Sequence, residues 1–249
     1  MQIKYFVTIC FLLTTSLLVH AQETSNLVEY KRIEYDVNIM SKLPYFTKDR
    51  IERERYTWGN RSEEWFTTYQ LYFDQQGSSY REKPEEKPST YAYRKDNFTL
   101  SRNLEEKTSK DLVTFNSQDF VIEGESVKYK WKILNEIKEV AGYICMKAET
   151  YDPMRKVPVQ AWFTSAIASQ AGPEGFGGLP GLILELVFNE NDVVVTAQKV
   201  ILDVPTPTDI FPKKIKGKTV TPTDFHEVYA KYVESKIKKK EYPYWRVRY

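Results

Sequence analysis

A histidine and a cysteine in this sequence could serve as base and nucleophile, and each stands alone. His20 and Cys10 fall in an apolar N-terminal leader, which leaves His226 and Cys145 as the histidine and the cysteine of the remaining chain. A Ser-His-Asp or Cys-His centre needs an imidazole within hydrogen-bond reach of its nucleophile. Zinc needs three or four ligands, with histidine and cysteine prominent among them. One of each, far apart in sequence, makes neither, so no catalytic residue, cofactor or metal site is expected. Cys145 lies mid-strand between Ile144 and Met146 and reads as a buried structural thiol. Glu63-Glu64, Glu85-Glu86 and Glu105-Glu106 are carboxylate pairs adjacent in sequence. A glycosidase pair is defined by its separation in space, and solvated charge is the plainer reading of these.

The other candidate is a backbone feature. The stretch Gly172-Pro173-Glu174-Gly175-Phe176-Gly177-Gly178-Leu179-Pro180-Gly181 holds five of the ten glycines and runs into Leu182-Ile183-Leu184. It does not cradle phosphate: proline stands where a dinucleotide fingerprint needs its third glycine, and no Lys-Ser/Thr follows Gly178. Leu179-Pro180-Gly181-Leu182 fits a type II turn, with proline presetting φ and glycine taking the positive one. The run reads as a structural corner that launches a buried strand, and as a loop whose rim can meet a ligand or partner. Trp162, Phe163 and Phe176 are the neighbouring aromatic candidates for that contact.

The elements that must position this loop are mostly strands. Apolar residues alternate with polar ones at Ile33, Tyr35, Val37 and Ile39, from Trp65 to Phe73, and at Val127, Tyr129, Trp131 and Ile133. Period two of this kind marks half-buried antiparallel strands. Less polar strands are expected at 143–148, 159–164, 182–188 and 193–200. Turns are expected at Asp74–Gly77, Asp96-Asn97, Glu123-Gly124-Glu125 and Asn189–Asp192. Residues 81–89 and 203–208 read as proline-broken loops. One amphipathic helix is expected over about 222–240, capped by Thr221 with Pro222 at its first position. The fold class is therefore mainly β: one curved antiparallel sheet, an open half-barrel or bowl, with a C-terminal amphipathic helix.

Residues 1–21 read as a signal peptide, with Lys4 before an apolar run and cleavage after Ala21. That run is too short for a stable membrane anchor, so the chain is not expected to be transmembrane after cleavage. Residues 22–240 form one β-rich domain in this reading, and 241–249 a basic aromatic tail. The overall charge is close to neutral, with 36 Lys+Arg against 34 Asp+Glu. Residues 213–249 nevertheless carry 11 basic and 4 acidic side chains. Interleaved with Tyr242, Tyr244, Trp245 and Tyr249, that basic end is a candidate for anionic lipid headgroups. Nucleic acid is not expected as a partner.

Gly178 to Ile183 matches all six positions of the GLPGLI signature. Gly142-Tyr143-Ile144-Cys145-Met146-Lys147-Ala148, Ala161-Trp162-Phe163-Thr164 and Gly172-Pro173 resemble further elements of the same family. The chain thus resembles the GLPGLI family of exported proteins of Bacteroidetes-type bacteria, over about residues 137–190. Ile167-Ala168-Ser169 departs from the expected Ile-Pro. The family carries no established activity. It is similar to the bowl-like N-terminal domain attached to type II peptide-N-glycosidase F, which is not that enzyme's catalytic part, and its strand pattern resembles the half-barrel of LolA-type lipoprotein carriers. The resemblance implies a periplasmic, outer-membrane-associated or secreted protein. Its expected role is non-catalytic binding of an apolar or peptide ligand or an outer-membrane protein. The alternatives are a hydrolase of glycan or peptide, and a structural subunit of an outer-membrane assembly.

Overall fold

The computed structural model describes residues 24–58, 66–84, 97–207, 216–244, 247 and 249. The expectations on residues 1–21, Trp65, Glu63-Glu64, Glu85-Glu86, Asp96, Thr208, Trp245, Arg246 and Arg248 lie outside them. The period-two stretches form twelve strands in one open sheet. They are β1 (Thr24–Glu34), β2 (Thr67–Phe73), β3 (Gly77–Glu82), β4 (Phe98–Asn103), β5 (Thr108–Phe115) and β6 (Gln118–Glu125), then β7 (Lys132–Val140), β8 (Tyr143–Asp152), β9 (Val157–Thr164), β10 (Leu182–Phe188), β11 (Val193–Pro205) and β12 (Lys218–Val220). The sheet order is β12-β6-β5-β4-β3-β2-β1-β11-β10-β9-β8-β7.

That order describes two meandering arms joined at a seam. β1 pairs antiparallel with β2 on one side and with β11 on the other. The sheet curls, because the short 3-10 turn Pro173–Gly175 touches β3 and β4 of one arm and β10 of the other. The fold is mainly β, an open bowl with a C-terminal helix, as the patterning implies. Its inner face is dry. Cross-strand neighbours Leu71 and Tyr80, Tyr30 and Ala197, and Ala161, Leu186 and Val195 are all buried there. Burying apolar area at about 25 cal/mol per Å² is what holds such a sheet curved over a single core.

Several local expectations are corrected. β1 stops at Glu34, and residues 36–41 turn into helix α1 (Asp36–Ser41) instead of continuing the strand. Ile39 and Met40 are adjacent, so only a helix turn lets both bury in the core. Helix α2 (Lys48–Trp58) had no sequence expectation. It is highly charged, and its Ile51 packs partly buried against the core. Gly124 is not a turn residue but lies within β6. The hairpin turns between β5 and β6 at Asn116-Ser117, and between β7 and β8 at Ala141-Gly142, use left-handed residues with φ from 48° to 83°, as tight type I′ turns require. Tyr129 and Trp131 precede β7 and leave the ladder, Tyr129 to stack on Phe176 and Trp131 to meet it at a tilt. The sheet is not wholly antiparallel either, since β12 pairs parallel with β6.

Helix α3 (Pro222–Lys238) forms as its sequence specifies. The Thr221 hydroxyl accepts from the Asp224 N–H, the Asp224 carboxylate accepts back from the Thr221 N–H, and Pro222 opens the first turn. Its Phe225 packs edge-on against Phe115 and Phe120 of the β5–β6 arm. A Cβ at Gly124 would lie 2.8 Å from the Pro222 ring, so glycine in β6 makes room for the helix start. Thr221→Ala is expected to cost about 1 kcal/mol of stability, read as a lower urea midpoint with an unchanged denaturant slope.

Candidate functional site: the glycine loop inside the bowl

Residues 165–181 leave β9 and return to β10, and two backbone bonds close them into a loop. The Gln170 carbonyl accepts from the Gly178 N–H at 3.0 Å, and the Ala171 carbonyl accepts from the Ile183 N–H at 3.1 Å. Gly172 and Gly177 stand at this neck, where backbone passes close to backbone. The expected type II turn is replaced by a tighter one. The Gly181 N–H donates to the Leu179 carbonyl at 2.8 Å, a three-residue turn around Pro180. Glycine is still required at 181, for a different reason. A Cβ there would lie 2.2 Å from the Thr164 carbonyl oxygen, at the end of β9. Gly178 has φ of 87° and open space around it.

From Ala171 to Phe176 the loop packs into the concave face. Phe176 is 2 % exposed, stacks on Tyr129 with ring centres 4.2 Å apart, and meets Phe188 edge-on. The Trp131 indole donates to the Gly177 carbonyl at 2.9 Å. Phe163 is 1 % exposed, and Pro173, Leu179, Leu182 and Ile183 are buried with it. Pro180 is the exposed point of the turn. Phe163 and Phe176 are therefore core residues, which corrects their expected role as ligand contacts. Trp162 alternates to the opposite face of β9. There Lys138 stands 4.4 Å and Lys147 5.9 Å from its ring centre, and Lys138 also pairs with Glu185 at 2.5 Å. Cys145 is fully buried; burial pushes its thiol up to about 11, which leaves it protonated and inert at neutral pH.

Sequence reasoning missed the centre of this loop. Glu174 takes a left-handed φ of 59°, and its carboxylate turns inward, almost without solvent contact. The Tyr80 hydroxyl donates to it at 3.1 Å. Arg32 of β1 lies 3.4 Å away and Arg155, in the β8–β9 turn, 3.7 Å. Each arginine has a second acid: Arg32 pairs with Glu34 and Arg155 with Asp152, both at 2.6 Å. Burial presses both guanidiniums toward neutrality. The surrounding carboxylates outweigh it, Glu34 and Glu174 at Arg32 and Asp152 and Glu174 at Arg155, and hold both above the ordinary arginine range. Arg102 adds a bond to the Gly175 carbonyl and pairs with Asp111. The sequence signal was slight: Glu174 is the single acid in a glycine-rich loop, and its partners lie far away along the chain.

The C-terminal aromatic tail is part of this structure. The Tyr249 hydroxyl donates to Asp192 at 2.9 Å, and its main-chain oxygen accepts from Arg155 at 2.7 Å. The Tyr242 hydroxyl donates to Asp36 at 2.5 Å, and Val247 is buried. Tyr242 and Tyr249 are thus withdrawn from the lipid-facing role expected of the tail, whereas Lys238, Lys239 and Lys240 are exposed. His226 is half-buried on α3. Among the described residues no group of three His, Cys, Asp or Glu side chains could hold a metal ion.

Two sets of variants test this geometry. Gly181→Ala is expected to lose about 3 kcal/mol, because backbone must move, and Gly178→Ala only about 1 kcal/mol, the cost of a left-handed non-glycine residue. Equal losses in urea unfolding would contradict the reading of Gly181. Glu174→Gln keeps the shape but takes a shared negative charge from beside two buried guanidiniums, each left with its second acid, and about 3 kcal/mol is expected. Glu227→Gln, at an exposed pair with Lys231, should change stability by less than about 0.5 kcal/mol.

Two solved structures of PNGF-II, in the P21 and C2 space groups, resemble this chain. The first aligns with a TM-score of 0.55 at 13% identity, over 82% of this chain and 33% of that one. The second aligns with a TM-score of 0.54 at 14% identity, over 82% and 32%. This chain spans about a third of their length, and at such identity the likeness is one of fold. No curated protein matches the chain. The sequence profile of the family described as "N-glycanase peptide, N-terminal domain" matches residues 82–217, over half of the chain and including the glycine loop. The chain belongs to that N-glycanase N-terminal domain family.

Proposed function

We propose that this chain is an exported, non-catalytic protein of the cell envelope that works by binding, with an outer-membrane protein or an apolar or peptide ligand as its partner. The observation that carries the reading is the state of the concave face. Its one acid in the loop, Glu174, is held by two arginines and a tyrosine, and its aromatics stack on one another. Groups paired in this way maintain shape; they are not poised for proton transfer, which needs a group within reach of substrate. Binding then falls to solvent-exposed side chains away from the filled interior, such as Ile137 and Ile144, which are 70% and 63% exposed. We infer further that the chain is a GLPGLI-type protein, from Gly178 to Ile183, and that its signal is cleaved after Ala21. Among the described residues of the basic end, Lys238, Lys239 and Lys240 are exposed and available to meet anionic headgroups.

The second reading is a hydrolase of glycan substrates, favoured by the family's description as a domain of an N-glycanase. Fractionation and a glycan-release assay separate the two. The expected result is a mature chain beginning at Gln22 in the periplasmic or outer-membrane fraction, with no glycan released from a denatured glycopeptide. An uncleaved chain in the cytoplasm would sink the envelope reading. Glycan release that disappears on substituting one carboxylate would replace binding with hydrolysis.

A further inference from the structure

The register carries two buried rows of the sheet out into solvent at the β7–β8 hairpin. Val195, Leu186, Ala161 and Ala148 lie side by side and are buried, and the next residue in that row is Ile133. Ile183 and Phe163 are buried in a second row, which continues through Met146 to Ile137. Ile144 stands opposite Glu139, two residues from Met146 and on the same face. Ile133, Ile137, Ile144 and Met146 are 39% to 70% exposed, and they are four of the ten large apolar side chains exposed among the described residues. Clustering of this kind on one face of one hairpin marks a contact surface, which scattered exposure does not.

The other face of the hairpin is satisfied. Lys138 pairs with Glu185 and lies over Trp162, Lys147 pairs with Glu136 and Glu149, and Cys145 is buried. Lys132 belongs to that side as well, since it lies opposite Glu149. Between Ile133 and Met146 the apolar face carries one charge, Glu139, which is exposed and makes no ion pair among the described residues. The surface is two strands wide and, from Ile144 to Ala148, about 13 Å long at about 3.3 Å per residue. The apolar stripe of a helix, at i, i+3, i+4 and i+7, spans about 10 Å.

We propose that this face docks an amphipathic helix of a partner protein, with the helix's apolar stripe on Ile133, Ile137, Ile144 and Met146 and a lysine or arginine beside that stripe on Glu139. The proposal rests on the reading of the chain as a binding protein and names the chemistry of the partner. Length and width of the surface match a single stripe, and a helix with a polar far side needs covering on one side only. An acyl chain is the poorer match, because sites for small apolar ligands enclose most of the ligand and these side chains stand open. An added strand is poorer too, because β7 is irregular between Ile133 and Ile137 and lies against β11. An anionic headgroup or an acidic peptide would meet Glu139 and find no cation on this face.

Fluorescence anisotropy of a labelled synthetic helix, titrated with the purified protein, tests the proposal. One probe carries leucine at i, i+3, i+4 and i+7 flanked by lysine, a second has glutamate in place of lysine, and a third has the first probe's residues in period-two order. The lysine helix is expected to saturate with a dissociation constant on the order of 10–100 µM, and the period-two probe to bind at least about tenfold more weakly. Ile137→Asn with Ile144→Asn should weaken the lysine helix at least about tenfold, without lowering the thermal midpoint, since both side chains are mostly exposed. Glu139→Lys should reverse the preference, toward the glutamate helix, and Glu149→Lys on the opposite face should not. No saturation at millimolar concentration, binding indifferent to the isoleucine substitutions, a Glu139→Lys chain that still prefers lysine, or displacement of the helix by palmitate would each overturn the proposal. The envelope reading would survive such a failure, because localisation and the glycan-release assay judge it separately.

Discussion

At the centre of the bowl a carboxylate almost without water stands between two guanidiniums. Removing three charges from water costs several kcal/mol per ion, and their attraction offsets this only when geometry and further hydrogen bonds are good. Here they are: Arg32 and Arg155 each hold a second acid, and Tyr80 donates to Glu174. Arg32 comes from the seam strand β1, Tyr80 from one arm, and Arg155 from the β8–β9 turn of the other. Glu174 therefore ties the loop to both halves of the sheet at once. The curl of the sheet, the burial of Phe176 and the docking of Tyr249 on Arg155 all assume that these ions are in place. A purely apolar plug would fill the same space without fixing which arm meets which part of the loop, and the ion set supplies that direction.

The glycine run then has two separate jobs. Glu174 must adopt a left-handed φ to turn its side chain inward, and the following turn must bring the chain back to β10 within a few residues. Gly181 allows that return by letting β9 and β10 approach at Thr164. The Pro180 turn fixes the direction of entry, and the buried run Leu182-Ile183-Leu184 follows at once. The Tyr30 hydroxyl donates to the Ile183 carbonyl at 2.6 Å, so the seam strand holds the start of β10 as well as the loop. Sequence spacing alone suggested a four-residue corner, because proline followed by glycine is common to that turn type and to this one.

What could be read from the sequence follows the range of the forces involved. Strand periodicity, the Asn189–Asp192 hairpin and the Thr221 cap are set by residues within a few positions of one another, and they were legible. Ile33 to Ile39 showed the same alternation, yet the chain leaves the sheet after Glu34, because the Tyr35 N–H bonds to the Asp192 carbonyl and burial of both Ile39 and Met40 favours a helix. The pairing of Glu174 with Arg32 and Arg155 was not legible. Nothing in their neighbourhoods distinguishes them from solvated charges, and only the closed topology brings them together. Phe163 and Phe176 illustrate the same limit: an aromatic beside a glycine loop reads as a surface contact until the loop is seen to fold inward.

The fold shared with PNGF-II is a scaffold whose interior is occupied by its own loop. A bowl that opened on a hollow would argue for a ligand held in its concavity, as the open half-barrel comparison implies. This one has Phe176 and Tyr129 stacked in that space, with Trp131 tilted against them and the loop's acid paired with buried arginines. On the proposed binding role, selectivity would rest on solvent-exposed groups and not on this filled interior. The outer face of β9 and β10 is itself largely satisfied, since Trp162 is met by two lysines and Glu185 by Lys138 and Thr196. The β7–β8 hairpin differs from both faces in carrying apolar side chains beside an unpaired backbone edge. Paired charges inside fix the shape, and the exposed apolar side chains of this hairpin, Ile137 and Ile144, are what sets its surface apart from the satisfied groups elsewhere.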